Sequence, residues 1–488
     1  VARRARLCAR RAASALLLTL SCAGRAIAAP PPTPGPSSPA AGSRADGAVR
    51  LFTARIKAEP EDPYNYQKLG EAYVAKARES GDTSYYDRAA KLLEKALELA
   101  PDDEGSLVAL AAVDLARHDF EASVAHARRA VEISPRGPGG HAALGDALLN
   151  RGDYEEAERA YGTLQELRPG LDTEARLAQM RELNGDPRGA AALLERALEE
   201  ARRRPVETAT IAFLERTLGE VYLASGQHER AKPHYEAALA SPGGRPSALF
   251  GLARIASCRG DARDAHELAK RAVEALPLPV FLAFLGDLEA KKGDEAAARR
   301  WYALVEKIGL LGPAFGRELA LFYADHGKPE QAVRLARREL LLRRDVATWD
   351  VLAWALHKAG RSPEAFEAVG EALRLGTRDA RFLYHAGMID LACGERARGL
   401  ELLRQALEVN PCFDVLQADE ARRLVEAGNH SPSKGSLPIS STILSSRYWL
   451  GPKTNRISPF SQTTSRIWTE SSGGSTVPRF TTTTRSSG

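Results

Sequence analysis

The chain has 488 residues, 44% apolar and 6% aromatic, with a formal net charge of +5. The positive excess lies at the ends: residues 1–48 and 429–488 together hold fourteen basic side chains against two acids, leaving a net of −7 in 49–428. A body without a positive field cannot release phosphate counterions on the scale that nucleic-acid binding needs, so nucleic acid is not an expected partner.

In chain order, residues 1–28 read as an export signal. Arg3, Arg4, Arg6, Arg10 and Arg11 form a basic region, Ala12–Leu20 an apolar one, and Ala26-Ile27-Ala28 a small-residue cleavage site. The apolar run is short for a membrane span. Thr19-Leu20-Ser21-Cys22 offers a second expectation, a lipoprotein box that would make Cys22 a lipid anchor, although Thr19 stands where leucine is usual. A start at Val1 would fit a non-ATG codon and a bacterial origin. Residues 29–48 are a Pro/Ala/Ser spacer that cannot bury a core. The expected location is therefore exported, periplasmic or envelope-associated.

Helical periodicity then runs from 49 to 428. Small residues recur at Gly70, Ala111, Gly145, Ala178, Gly219, Ala253, Gly286, Ala320, Ala353 and Gly387, in steps of 33 or 34 with two of 41. From Gly145 onward, each of these markers is followed seven residues later by a glycine, Gly152 to Gly394. A second small residue follows at twelve, Ala157 to Gly399. Glycine after a helix caps it in the left-handed region, and small residues on both helices of a hairpin let their backbones approach. Prolines such as Pro135, Pro169 and Pro411 end second helices. The 41-residue steps predict insertions near 77–86 and 200–207. His118 stands where the second unit's turn glycine would fall, and the segment Gln417–Ala427 predicts a solvent-facing capping helix.

With Leu144-Gly145, Ala157, Tyr161 and Pro169 in one unit, and Leu218-Gly219, Tyr222, Ala231, Tyr235 and Ala238 in another, the chain resembles the tetratricopeptide repeat family. Trp349 and Leu352 match that family's early tryptophan and leucine. The resemblance implies an all-α fold, a right-handed superhelical solenoid of about ten helix-turn-helix repeats with disordered ends. Residues 429–488, rich in Ser, Thr and Arg and without alanine, read as a disordered tail or the product of a shifted frame.

No catalytic constellation accompanies the repeats. HExxH and GxSxG are absent, the glycines follow the repeat period, and the histidines fall at unrelated positions. Cys258, Cys393 and Cys412 lie far apart with no CxxC, and are expected to be buried small residues or idle thiols rather than a disulfide framework, metal site or redox centre. No enzyme activity, cofactor or metal is expected.

The family resemblance instead implies a concave groove lined by first helices, at positions three before, one after and five after each marker. Those positions hold Arg216, Glu220, Phe250, Arg254, Asp287, Lys291, Arg317, Asp350, Trp354, Lys358, Tyr384 and Met388, a mixture suited to a protein or extended peptide. The amino-terminal units offer smaller groove residues, Ala112, Ala142 and Ala175, while Asp146 and Asn150 remain candidate contacts. A lysine-asparagine clamp for a terminal carboxylate is not expected, because the matching positions hold Gln67, Glu71, Val108, Ala112, Ala142 and Asp146. The reading is a non-enzymatic protein-interaction scaffold; the alternative is an accessory or regulatory subunit of a cell-envelope enzyme or transport complex.

Overall fold

The computed structural model describes residues 44–80, 82–241, 244–310 and 315–429. The expected signal, the lipidation residue Cys22, the spacer up to residue 43 and the tail from 430 lie outside the described residues. Among the described residues the chain forms 22 helices and no strand. Ten helical hairpins run from Pro63–Ser80 with Ser84–Leu99 (repeat 1) to Ala380–Ala392 with Arg396–Val409 (repeat 10), flanked by the helices Arg44–Ala58 and Gln417–Asn429. This is a helical-repeat solenoid.

Local chemistry explains the boundaries. Aspartates cap the amino ends: Asp103, Asp119, Asp186, Asp294 and Asp345 each accept a backbone N–H three residues on. Prolines occupy the first turn at Pro138, Pro187, Pro279 and Pro329, where no backbone donor is needed. His118 takes the left-handed conformation (φ 62°) that the repeat turn demands, so the missing glycine leaves the turn unchanged. The small markers have a steric cause as well. A Cβ on Gly145 would sit 2.3 Å from the Tyr161 ring, and one on Gly286 2.2 Å from Tyr302. The glycine thus makes room for an aromatic ring sixteen residues on.

Three boundaries differ from the sequence expectation. The first helix starts at Arg44, inside the segment read as spacer, because Ala45 is buried and Asp46 pairs with Lys76 of repeat 1. The 41-residue steps are taken up largely by longer helices, such as Pro63–Ser80, Pro187–Arg203 and Thr208–Ala224. The last helix runs on to Asn429, the residue read as the start of the tail.

The array also returns on itself. In repeat 3 (Pro138–Arg151 with Tyr154–Leu167) the turn meets the chain after repeat 8 (Gly316–Asp325 with Pro329–Leu342): the Arg344 N–H donates to the Arg151 carbonyl at 2.7 Å, and the Val346 N–H to the Tyr154 hydroxyl at 2.9 Å. One repeat further along, Thr377 donates to the Leu183 carbonyl at 2.5 Å. In repeat 5 (Thr208–Ala224 with His228–Ala238) the Leu223 carbonyl accepts from Asn410 at 2.9 Å. The first helix of repeat 6, Arg245–Cys258, then ends at a disulfide to Cys412.

Turns of repeats 3 to 5, and the end of the first helix of repeat 6, therefore meet in step the connections after repeats 8 to 10. Apolar packing covers the same seam: Tyr154 and Leu183 share a core with Val346, Ala347 and Phe382. The disulfide corrects the expectation of idle thiols. Cys258 and Cys412 are 154 residues apart in sequence, yet their Cα atoms lie 5.5 Å apart because closure of the superhelix brings them together. By loop-closure entropy, a crosslink of that span stabilises by about 5 kcal/mol. Cys393 is free and exposed.

Candidate functional site

Closure turns the concave face of repeats 5 to 10 into a cavity of about 250 Å³. First helices supply most of its wall, with the connection 412–415, Arg422 of the terminal helix and Val305 of a second helix completing it. The terminal helix covers the end of the core with Ala418 and Ala421, keeps an exposed face, and also gives Arg422 to this wall. Lys291 ties it down through the Val415 carbonyl (3.1 Å) and Asp419 (2.8 Å), and Tyr384 donates to Glu420 at 2.7 Å.

Of the residues expected in the groove, Glu220, Phe250, Arg254, Asp287, Lys291, Arg317 and Asp350 line this one cavity. Arg254 reaches across one repeat to Glu220 at 3.5 Å and lies over the Phe250 ring. Arg317 is buried and paired with Asp345 at 3.2 Å. Asp350 holds His385 at 2.9 Å, and Asp287 accepts from Tyr302 at 2.9 Å with His326 Nε2 3.1 Å away.

The remaining five are placed elsewhere. Trp354 is buried, donates to Asp325 at 2.7 Å and stacks on His385; Tyr384 is fully buried. Both pack between repeats rather than presenting a ring to a partner. Arg216 is buried beside Phe213, Lys358 lies over the Trp354 ring, and Met388 packs against the core. Outside that set, Asp146 and Asn150 are also corrected. A bidentate bond from Arg176 (2.8 Å on each oxygen) and one from Tyr161 saturate buried Asp146, while Asn150 donates to the Asp146 carbonyl.

Sequence reasoning passed over two sets of lining residues. Phe281, Phe284, Phe322, Phe382 and Phe413 give the cavity an aromatic wall, and Phe250 packs against Phe281 and Phe284 with ring centroids 4.5 and 5.3 Å apart. Phe281, Phe284, Phe322 and Phe382 sit on helical stripes next to the one read from the family pattern, and Phe413 lies in the connection before the terminal helix. The second set is acidic: Asp325 and Asp414 join Asp287 in the wall, and among the described residues no lysine or arginine pairs with Asp325 or Asp414. Asp325 was legible, since it falls five after its marker as Lys291 does. Burial and the nearby Asp414 charge push its carboxyl up to about 6, and burial also raises Asp287. His326 is raised as well: burial opposes its charge, but the bond to Asp287 outweighs it. A positive group entering this corner would meet carboxylates short of countercharge and faces of aromatic rings. Among the described residues no cluster of His, Cys, Asp and Glu has the arrangement of a metal site.

Comparison with known proteins agrees with this class of fold. Tetratricopeptide-repeat family profiles match residues 70–103, 142–205 and 216–256, and such repeats are present in the chain. No curated protein sequence matches it. Solved structures that resemble it include the human IFIT1 dimer with PPP-AAAA (20% identity, covering 68% of this chain and 77% of that one, TM-score 0.46). Yeast Tom70 is another (14%, 79% and 93%, TM-score 0.37), as is residues 41 to the end of MamA from Desulfovibrio magneticus RS-1 (20%, 33% and 88%, TM-score 0.28).

Proposed function

We propose that this chain is a non-enzymatic recognition scaffold that takes an extended segment of a protein partner into its closed concave cavity. The observation that carries the reading is the cavity itself: an aromatic wall beside carboxylates without a lysine or arginine partner, enclosed by a ring of repeats. A cavity of about 250 Å³ has room for side chains of a segment and none for a folded domain. Its preferred occupant is a basic side chain set against Asp325 and Asp414, with apolar neighbours on the phenylalanines. Six carboxylates and five Lys or Arg side chains line the cavity, and the preference for a cation belongs to the corner of Asp325 and Asp414.

Selection of displayed random peptides on the oxidised full-length chain tests this. Lys or Arg flanked by apolar residues should be enriched, and Asp325→Asn or Asp414→Asn should each weaken the selected peptides about tenfold, or 1.4 kcal/mol. Binding indifferent to both substitutions would reject the cavity as the site.

A second reading, an accessory or regulatory subunit of a cell-envelope complex, is favoured by the disulfide, which suits an oxidising compartment outside the cytosol. Export and membrane tethering through the N-terminus belong to this proposal. Fractionation of the producing cell tests it, because a cytosolic chain that retains residues 1–28 contradicts export. A chain released from the membrane by Cys22→Ser would identify the anchor.

A further inference from the structure

We infer that the Cys258–Cys412 bond is a redox latch on the cavity: its reduction opens the wall formed by the connection 410–416 while the ten repeats stay folded. The inference rests on the cavity being the binding site and concerns how access to it is controlled.

Three observations carry it. Both cysteines line the cavity, one at the end of the first helix of repeat 6 and the other in the connection between repeat 10 and the terminal helix. Opening their bond removes the covalent tie between the wall and repeat 6 and leaves the wall to the weaker hold of Asn410 on the Leu223 carbonyl and Lys291 on the Val415 carbonyl. The seam is also graded along its length. At repeats 3 and 4 it is held by backbone contacts and by apolar packing of Tyr154 and Leu183 against Val346, Ala347 and Phe382. At repeats 5 and 6, near the cavity, the polar contacts across it are those of Asn410 with the Leu223 carbonyl and the His228 ring, and the covalent link adds the closure at repeat 6. Finally, both cysteines are partly exposed, so a reductant can reach them.

The chemistry balances with a dithiol reductant. A thiolate of the reductant attacks the Cys412 sulfur, and the S–S bond breaks as a mixed disulfide forms. Cys258 leaves as a thiolate 3.5 Å from His228 Nδ1 and takes its proton from solvent. The reductant's second thiol then displaces Cys412, so two electrons pass to the protein and the reductant ends as its own disulfide.

Amide hydrogen exchange on the full chain carrying Cys393→Ser, with and without a dithiol reductant, tests the latch. Reduction should raise exchange about tenfold in 409–417 and 223–228 and leave repeats 1 to 4 unchanged. Cys412→Ser should show the same pattern without reductant and no further response to it. Three results would overturn the inference: unchanged exchange at the wall, loss of protection throughout the array, or peptide mapping that finds Cys258 and Cys412 unlinked in the air-oxidised chain. The measurement needs no ligand, so a failure of peptide binding and a failure of the latch are separate results.

Discussion

Asp325 shows how one carboxylate serves packing and recognition together. It accepts from Trp354 Nε1 and from Gln417 Nε2 at 2.8 Å, joining repeats 8 and 9 to the terminal helix, and it also faces the cavity. Its folded pKa of about 6 stands above the ordinary 3.8, so the folded state holds its proton more tightly than the unfolded state does. The resulting penalty is absent below about pH 4, grows as pH rises to 6 and is complete above it. Asp325→Asn keeps the acceptor oxygen without the charge. Thermal denaturation should therefore find the variant matched to the parent near pH 4 and more stable by about 3 kcal/mol at pH 7. The same window governs binding: affinity for a basic peptide should rise from pH 5 to 7 in the parent and stay nearly flat in the variant, as read by calorimetric titration.

At the scale of elements, the repeat turns look alike in sequence and differ in surroundings. Gly152, Gly185 and Gly260 all take positive φ (98°, 77° and 82°). Any side chain there costs about 1 kcal/mol of backbone strain. A Cβ on Gly260 meets nothing within 4 Å, whereas one on Gly185 lies 2.3 Å from the Gly376 carbonyl oxygen and one on Gly152 lies 2.5 Å from the Arg344 carbonyl carbon. Gly185→Ala and Gly152→Ala should thus cost at least twice what Gly260→Ala does, measured as shifts in urea midpoint. Equal shifts would deny the seam.

The same contrast marks how far the sequence was legible. The hairpins, their turns and the helix from Gln417 could be read because each depends on residues close in sequence. The seam could not, because it joins groups roughly two hundred residues apart and leaves Gly152 with the same local signature as Gly260. The cavity was legible as one stripe, from Glu220 and Arg254 to Asp350. Phe281, Phe284, Phe322 and Phe382 lie on adjacent stripes and Phe413 in a connection, and whether Trp354 faces a ligand or the next repeat depends on the Asp325 and His385 it meets in the fold.

For the whole molecule, closure converts an open groove into a bounded chamber, and the other functional claims depend on it. A solenoid with unlinked ends would offer its concave face to a folded partner, whereas a ring admits only a segment. Cys258→Ser should lower the thermal midpoint, with up to about 5 kcal/mol lost if the released ends separate fully in the unfolded chain. The most direct measurement is the distance across the seam. Spin labels on cysteines replacing exposed Asn184 and Arg378, in a chain carrying Cys8→Ser, Cys22→Ser and Cys393→Ser, place one probe on the repeat 4 turn and one beside the Gly376 it touches. Pulsed dipolar spectroscopy should return a single narrow, short distance in the oxidised protein. A broad distribution centred at long distance would show that the repeats do not close, and would remove the chamber.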